Sequence, residues 1–247
     1  LVATKKMEEE RPKNMDYFAE EVRKYLEDNY GSDALKEGGY IVKTTADPLL
    51  QNLSTKALRK YINDYDIAHG YRGALGKLEN TENWKNSLNE WKANPSNTEL
   101  LRGVESSLQL AVVLSLTTSE AKIGLENGDE AKIAIEDLKW ARKNLPNQEI
   151  GEEPKTPKDV FSVGDIILTQ KMEEEKIKYV LRQVPNLEGA VVALDPHNGQ
   201  ILSMVGGYSF FKSNFNRALN AIRQPGSTIK PFIYLTALEN NYTPSSI

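Results

Sequence analysis

Three serines of this chain stand three positions before a lysine, a spacing that can pair a nucleophile with a general base. The three Ser-x-x-Lys tetrads begin at Ser119, Ser209 and Ser227. A lysine amine within reach of a serine hydroxyl can take its proton and activate the oxygen for attack on a carbonyl. Chance supplies about one such match in a chain of this length. The surrounding residues must therefore decide which tetrad could do chemistry.

The third tetrad has a distinctive setting, the sequence RQPGSTIKPF. Pro225 and Gly226 disfavour a helix before Ser227, and the apolar run from Ile229 onward predicts one after it. Lys230 then lies one turn along the same face. The positive end of the helix dipole favours negative charge on the serine, and burial would favour a neutral lysine. The alternative is a serine cap with a surface lysine.

The other two tetrads have settings that suggest coincidence. Lys122 falls on the alternating polar face of a hairpin that turns at Asn127-Gly128, which is typical of a solvated strand residue. Ser209 and Lys212 lie in a loop with no helix signal, so nothing is predicted to hold the amine against the hydroxyl.

The composition narrows the function classes. The 247 residues carry 31 basic and 35 acidic side chains, a formal net charge of −4. This balance disfavours a nucleic-acid partner, which normally meets a basic face. Cysteine is absent, which excludes disulfides and thiol nucleophiles. The two histidines, His69 and His197, lie in polar turn sequences, so a Ser-His-Asp triad is disfavoured.

The beginning of the chain predicts a part of a longer protein. It has no initiating methionine, no signal peptide and no apolar run long enough to span a bilayer.

The first hundred residues predict helices joined by loops. One helix ends at Gly31, a second begins at the cap Asp47-Pro48, and a third spans 81–94. A short strand is expected at 40–45 between the first two. Each helix has one face predicted to be buried. The residues are Phe18, Val22, Tyr25 and Leu26 on the first helix, Leu50, Leu53, Ala57 and Tyr61 on the second, and Trp84, Leu88 and Trp91 on the third.

The middle of the chain changes to the alternating period of strands. Five strand segments are predicted within about 80 residues, at 108–116, 121–126, 131–135, 160–169 and 177–184, with a polar loop at 147–158. Short antiparallel strands in this number are typical of a small barrel of the OB type. A further hairpin, 187–196 with 201–205, is apolar on nearly every residue, which predicts burial of both faces.

Two blocks carry a resemblance to a known family. GAVVALDPHNGQILSMVGG at 189–207 and FNRALNAIRQPGSTIKPFIYLTALE at 215–239 resemble the start of the transpeptidase domain of class A (bifunctional) penicillin-binding proteins. GGYIVKTTADPLLQ and GYRG resemble the linker that leads into that domain. The predicted class is therefore α+β: a helical linker over 1–103, an OB-like barrel over 104–184 and the beginning of a transpeptidase domain over 185–247.

The resemblance implies an activity and its residues. Ser227 is the expected acyl nucleophile and Lys230 its general base, with D-Ala-D-Ala stem peptides of peptidoglycan as substrate and β-lactams as acylating inhibitors. Neither a metal nor an organic cofactor is implied. The parent protein is expected to carry a glycosyltransferase domain and a membrane anchor, at the periplasmic face of the bacterial inner membrane. Cell-wall synthesis proteins could bind through the barrel.

The chain departs from the family pattern in the motifs that should follow the tetrad. Its Ser-x-Asn, Ser87-Leu-Asn89, comes before the tetrad, and no Lys-Thr-Gly occurs in the 247 residues. The isolated chain is therefore expected to lack activity. Two alternatives stay open: a non-catalytic cell-wall module that docks a protein or glycan through the barrel, and another Ser-x-x-Lys enzyme such as a β-lactamase.

Overall fold

Helices and antiparallel strands occupy separate parts of the chain, so the predicted α+β class is confirmed. The computed structural model describes residues 14–104, 107–173 and 177–246. The helices are α1 (Asp16–Tyr30), α2 (Ser32–Glu37), α3 (Pro48–Ala68), α4 (Trp84–Ala93), α5 (Pro95–Leu100), α6 (Arg217–Asn220) and α7 (Lys230–Glu239). The strands are β1 (Gly76–Lys77), β2 (Leu108–Leu116), β3 (Glu120–Leu125), β4 (Glu130–Ala134), β5 (Asp165–Glu173), β6 (Ile177–Arg182), β7 (Val191–Leu194) and β8 (Ile201–Val205).

Strands β1 to β6 form one antiparallel sheet that curves around a core. The order is β4-β3-β2-β5, and both β1 and β6 pair with the other edge of β5. Strands β4 and β6 lie at opposite ends of this order, yet Ile133 of β4 and Leu181 of β6 share one buried cluster. The sheet therefore wraps round on itself, as expected for a small barrel. The Asn127-Gly128 turn joins β3 to β4 as predicted.

Helix α4 packs on the outer face of this sheet. Trp84 and Leu88 are buried against Val112 and Ile166, the residues whose side chains alternate with those of the barrel interior. A Cβ atom built at Gly124 would lie 2.7 Å from the Trp84 ring, so glycine is needed there for the ring to approach the strand. The predicted tryptophan packing face is confirmed. The domain boundary predicted between residues 103 and 104 would assign α4 and the sheet that it covers to two different domains.

Two predicted strand positions are wrong. Residues 40–45 form no strand, and Ile41 is 91 % exposed. A β-branched run becomes a strand of a sheet only where a neighbouring strand pairs with it, and here only Thr45 and Asp47 reach β8 through single hydrogen bonds. Strand β5 begins at Asp165 instead of 160, because Pro157–Asp159 forms a 3-10 turn stabilised by reciprocal capping hydrogen bonds with Thr156.

The buried face of α3 also differs from the prediction. Asp47 caps the helix as expected and accepts from the amides of Leu49 and Leu50. However, Leu53 and Tyr61 are 51 % and 68 % exposed. The buried positions are Gln51, Thr55, Leu58, Ile62 and Asp66. Three of these five are polar, so the face could not be recognised from hydrophobic periodicity.

Gln51 joins α3 to the edge of the β7–β8 hairpin. Its side-chain oxygen accepts from the backbone amide of Met204 at 2.9 Å, and its Nε2 donates to the Met204 carbonyl at 2.9 Å. The same Nε2 donates to the carbonyl of Asn14 at 2.8 Å. The primary amide thus takes the place of a neighbouring peptide on β8, and Gln51 is fully buried.

Asp66 joins the other end of α3 to the barrel. Its carboxylate accepts from both terminal nitrogens of Arg72, at 2.7 and 2.9 Å. Gln183 Nε2 and the backbone amide of Asn186 donate to the same carboxylate, at 2.8 and 3.2 Å. Arg72 lies just before the barrel in the chain, and Gln183 and Asn186 lie just after it. One buried carboxylate therefore holds both ends of the barrel segment.

Gly70, between α3 and Arg72, allows this close approach. Its φ is +85°, and a Cβ there would lie 2.5 Å from the carbonyl oxygen of Arg142. Tyr71 follows and is buried in the barrel interior, edge-on to Trp140 and Phe161. The GYRG sequence is thus the joint between α3 and the barrel.

The β7–β8 hairpin is covered on one side only. Val205 packs against Leu58 and Ile62 of α3, while Val192 and Leu194 are exposed. The predicted burial of both faces is therefore not found in the described part of the chain.

Replacing Gln51 with leucine tests the role of its amide. The Gln51→Leu change leaves the Met204 amide and two carbonyls without their partner, and an unsatisfied buried polar group costs roughly 1–3 kcal/mol. We expect a loss of at least about 2 kcal/mol in the free energy of unfolding, measured by urea denaturation with circular dichroism. Leu53→Gln, on the exposed face, is the control and should stay within about 0.5 kcal/mol. Equal losses for both variants would contradict the assigned face of α3.

Candidate active site

The three Ser-x-x-Lys tetrads lie in three different environments. In the first, the Lys122 ammonium pairs with the Glu130 carboxylate across the β3–β4 hairpin at 2.7 Å. Lys122 is half exposed, as the alternating pattern predicted. The interpretation as a solvated strand residue is therefore confirmed.

In the second tetrad the amine points away from the serine. Lys212 Nζ donates to the carbonyl of Pro185 at 2.6 Å and lies 3.9 Å from a Glu188 carboxylate oxygen. Ser209 is buried, and its hydroxyl lies against Gly103, where a Cβ would come within 2.3 Å of it. The sequence prediction that nothing holds Lys212 against Ser209 agrees with this geometry.

The third tetrad lies where the chain turns into α7. Gly226–Ile229 form a 3-10 turn, and Gly226 has a φ of +54°. The backbone amide of Lys230 donates to the Ser227 carbonyl, which makes the turn continuous with the helix. Pro231 lies in the first turn of α7, where its missing amide costs nothing. Ser227 therefore stands just before the helix N-terminus, as predicted, with Lys230 at its first residue.

The side chains of this tetrad and of α7 are open to solvent. Ser227 and Lys230 are both exposed, and in the described part of the chain neither side chain makes a hydrogen bond or ion pair. Phe232, Ile233 and Leu235 are 65 %, 56 % and 56 % exposed. Among the residues that the structure describes, none covers this apolar helix enough to bury it. An apolar helix exposed on all sides has a large unfavourable free energy of hydration, which burial would remove.

The histidines do not form a catalytic triad with any of these serines. His69 donates from Nδ1–H to the Tyr65 carbonyl at 2.7 Å, and its ring stacks on the Tyr65 ring. His197 is exposed in the turn between β7 and β8, where its backbone amide donates to Asp195. These positions agree with their interpretation as turn residues.

Comparison with protein families divides the chain into two matched segments. Residues 71–187 match the penicillin-binding protein OB-like domain, and residues 189–246 match the penicillin binding protein transpeptidase domain. The first segment begins at Tyr71, so it includes α4 together with the barrel on which α4 packs. The second contains the β7–β8 hairpin, Ser227 and Lys230.

Several curated relatives match nearly the whole chain. Penicillin-binding protein 1A of Pseudomonas aeruginosa is 38 % identical over 236 residues, which are 95 % of this chain and 27 % of the relative. Penicillin-binding protein 1A of Rickettsia bellii is 34 % identical over 247 residues, 100 % of this chain and 29 % of the relative. The chain thus spans less than a third of the length of the curated relatives that it matches.

One solved structure agrees with the arrangement of the elements. The crystal structure of penicillin-binding protein 1A from Haemophilus influenzae matches with a TM-score of 0.66 at 31 % identity, over 91 % of this chain and 30 % of that one. With the matched OB-like family, this confirms the predicted architecture of helices, an OB-like barrel and the start of a transpeptidase domain.

The exposure of Ser227 and Lys230 leads to a prediction for the isolated chain. We expect the 247-residue chain to form no stable covalent adduct with a fluorescent penicillin, because acyl transfer needs a site with preorganised oxyanion donors that excludes water. Loss of one such donor alone slows acyl transfer roughly 10²–10³-fold. The measurement is in-gel fluorescence after incubation, beside the Ser227→Ala form as the blank. Labelling of the chain that disappears in the Ser227→Ala form would show that the site is complete within these residues.

Proposed function

Since this chain belongs to the penicillin-binding proteins, we propose that it supplies the nucleophile and the general base of a serine D,D-transpeptidase. Ser227 is the acyl nucleophile and Lys230 takes its proton. The observation that carries the proposal is the place of this tetrad: it lies within the segment that matches the transpeptidase family, in the turn that leads directly into α7.

The two residues can carry out a balanced acyl transfer. The Ser227 oxygen attacks the carbonyl of the penultimate D-Ala in a stem peptide while its proton passes to the Lys230 amine. Collapse of the tetrahedral intermediate breaks the peptide bond, and the leaving D-Ala amine takes up the proton held by Lys230. The amine of a neighbouring stem peptide then attacks the serine ester and loses one proton, which passes through Lys230 to Ser227 as the crosslink forms.

The position before α7 favours this chemistry for a physical reason. The free amides of the first helical turn and the helix dipole present positive charge to Ser227, which stabilises the developing alkoxide. The same dipole and a low-dielectric cover over α7 would favour the neutral form of a lysine amine. The apolar side chains of α7 are suited to such a cover, and β-lactams would acylate the same serine.

We propose further that the chain works within a longer protein at the periplasmic face of the bacterial inner membrane, held there by an anchor and joined to a glycosyltransferase domain. The length of the matched relatives supports a longer protein. In the described part of the chain, no helix combines the length and apolar character needed to cross a membrane.

Replacing Lys230 in a longer protein that carries this chain tests the proposed roles. Lys230→Met should leave the fold intact and slow acylation by penicillin about 10²–10⁴-fold, the usual contribution of a general base. The rate constant of acylation is measured with fluorescent penicillin by stopped-flow or timed gels, and Ser227→Ala should abolish labelling.

Lys122→Met and Lys212→Met are the matched controls, because each removes the lysine of another Ser-x-x-Lys tetrad. Both should leave the acylation rate within about threefold of the unchanged protein, since their amines bind Glu130 and Pro185. Equal slowing by all three changes would overturn the assignment of Lys230. It would mean that the three lysines affect acylation through the protein as a whole and that none is the general base.

A further inference from the structure

A polar groove runs between α3 and the barrel. It has a volume of about 510 Å³ and lies between one face of α3 and strands β5 and β6. None of its lining residues belongs to α7 or to the turn that carries Ser227. We call it the α3 groove.

One wall of the α3 groove is a stripe of polar side chains on α3. Asn52, Lys56, Arg59 and Asn63 line it and follow the spacing i, i+4, i+7 and i+11, which places them on one helix face. This stripe lies beside the buried face that holds the hairpin. The helix therefore uses one side for packing and presents an adjacent, hydrophilic side to the groove.

The opposite wall is formed by Gln170 of β5 and Arg182 of β6. Arg182 Nε donates to the Gln170 side-chain oxygen at 2.9 Å, which fixes the guanidinium at the groove. Burial lowers the pKa of Arg182 from its usual value, since partial removal from water disfavours its charged form. The nearby Asp64 carboxylate, which also lines the groove, acts in the opposite direction, but it forms no ion pair with Arg182 in the described part of the chain. A bound anion would offset the cost of keeping its charge there.

The described lining of the α3 groove holds more cationic than acidic side chains. The cations are Lys56, Lys60, Arg182 and Arg59, which also donates to the Tyr208 carbonyl, and the one acidic side chain there is Asp64, which pairs with Lys60. The whole chain has a net charge of −4. Positive charge is thus concentrated at the groove although the whole chain is acidic. This local charge attracts anions to the groove.

The rest of the lining indicates which anion fits. Side-chain amides from Asn52, Asn63 and Gln170 offer donors and acceptors for hydroxyl and peptide groups. Aromatic side chains are absent from the described lining, so the groove has no platform on which nucleic-acid bases could stack. Ile67 is its one apolar side chain there, which disfavours an apolar ligand.

We propose that the α3 groove binds a carboxylate-bearing glycopeptide, the class of polymer to which peptidoglycan strands with stem peptides belong. The identity of this ligand rests on the proposed function, whereas its chemistry rests on the groove. The carboxylates pair with Lys56 and Arg182, Lys60 adds positive charge beside its partner Asp64, and the amides bind the hydroxyl and peptide groups between them. The groove would then hold a strand of the wall on the linker helix, beside the barrel.

The test measures binding of a soluble muropeptide, a disaccharide with its stem peptide, to the 247-residue chain. Fluorescence anisotropy of a labelled muropeptide at low ionic strength should show saturable binding that weakens as salt is added. The double variant Lys56→Gln/Lys60→Gln should raise the Kd about tenfold or more, since it removes two positive charges from the groove that attract the ligand's carboxylates. Both lysines are exposed, so the variant should keep its melting temperature.

Lys122→Gln/Lys132→Gln is the matched control. It removes the same charge from another lysine pair, on the β3–β4 hairpin, where the lysines bind Glu130 and Glu120. The Kd of this variant should be unchanged. Equal weakening by both double variants would mean that binding follows net charge alone, and the proposal would be wrong.

Two further ligands define the class that binds. An uncharged glycan of the same length without peptide should bind at least about tenfold more weakly, because it lacks the carboxylates. A single-stranded oligonucleotide should not displace the muropeptide at physiological salt. Tighter binding of the oligonucleotide, with the same loss on Lys56→Gln/Lys60→Gln, would assign the groove to phosphate polymers and overturn the proposal.

Penicillin labelling separates this proposal from the proposed function. A longer protein with Lys56→Gln/Lys60→Gln should be acylated by penicillin at the normal rate, because neither Ser227 nor Lys230 lines the α3 groove. Normal acylation at Ser227 with no muropeptide binding would overturn the groove proposal alone. Muropeptide binding that depends on Lys56 and Lys60, in a protein that Ser227→Ala does not inactivate, would overturn the transpeptidase proposal alone.

Discussion

The carboxylate of Asp66 is buried and needs hydrogen-bond donors around it. The residues that supply these donors join the parts of this chain. The donors come from Arg72, on the chain entering the barrel, and from Gln183 and Asn186, on the chain leaving it. An unpaired charge at this depth would cost several kcal/mol, so the two ends of the barrel segment are held together at the end of α3. This polar cluster acts together with Tyr71, which is buried in the barrel interior next to Gly70.

Gln51 fixes the other end of α3 by a similar principle. Its amide hydrogen bonds to both backbone groups of Met204, which determines the position of the helix along β8. Apolar contacts alone would allow the helix to slide, whereas a two-point hydrogen bond to one peptide does not. α3 therefore connects the barrel to the hairpin that precedes Ser227, with a specific polar contact at each end.

The two exposed regions of the molecule differ in chemistry. The α7 surface is apolar, which suits burial beneath other protein structure, and it follows the Ser227 turn. The α3 groove is cationic and lined by amides, which suits a hydrated anion. Because α3 also carries Gln51 and Asp66, a ligand in the groove would contact the helix on which both the barrel and the hairpin depend.

Several features of the fold could be predicted from residues that are close together in the sequence. Asp47-Pro48 begins α3, Asn127-Gly128 turns β3 into β4, and Pro225-Gly226 with Pro231 places Ser227 before α7, because caps and turns depend on residues only a few positions apart. The resemblance carried by RQPGSTIKPF, confirmed by the matched families, then selected one tetrad among three. The roles of Ser227 and Lys230 in that tetrad stay predictions.

Tertiary structure decided the features that depend on distant partners. Gln51 and Asp66 are buried because Met204, Arg72 and Gln183 supply their hydrogen bonds, and no periodicity in α3 could reveal those partners. Residues 40–45 have the pattern of a strand but lack a neighbour to pair with, so their pattern was misleading. The α3 groove is equally invisible in the sequence, because its two walls, near Lys56 and Arg182, lie more than a hundred positions apart. Local sequence determined the caps and turns, and the apolar period of α4 predicted its packing face. The folded structure alone determined which face of α3 is buried, since burial of a polar side chain depends on the partners that distant residues supply.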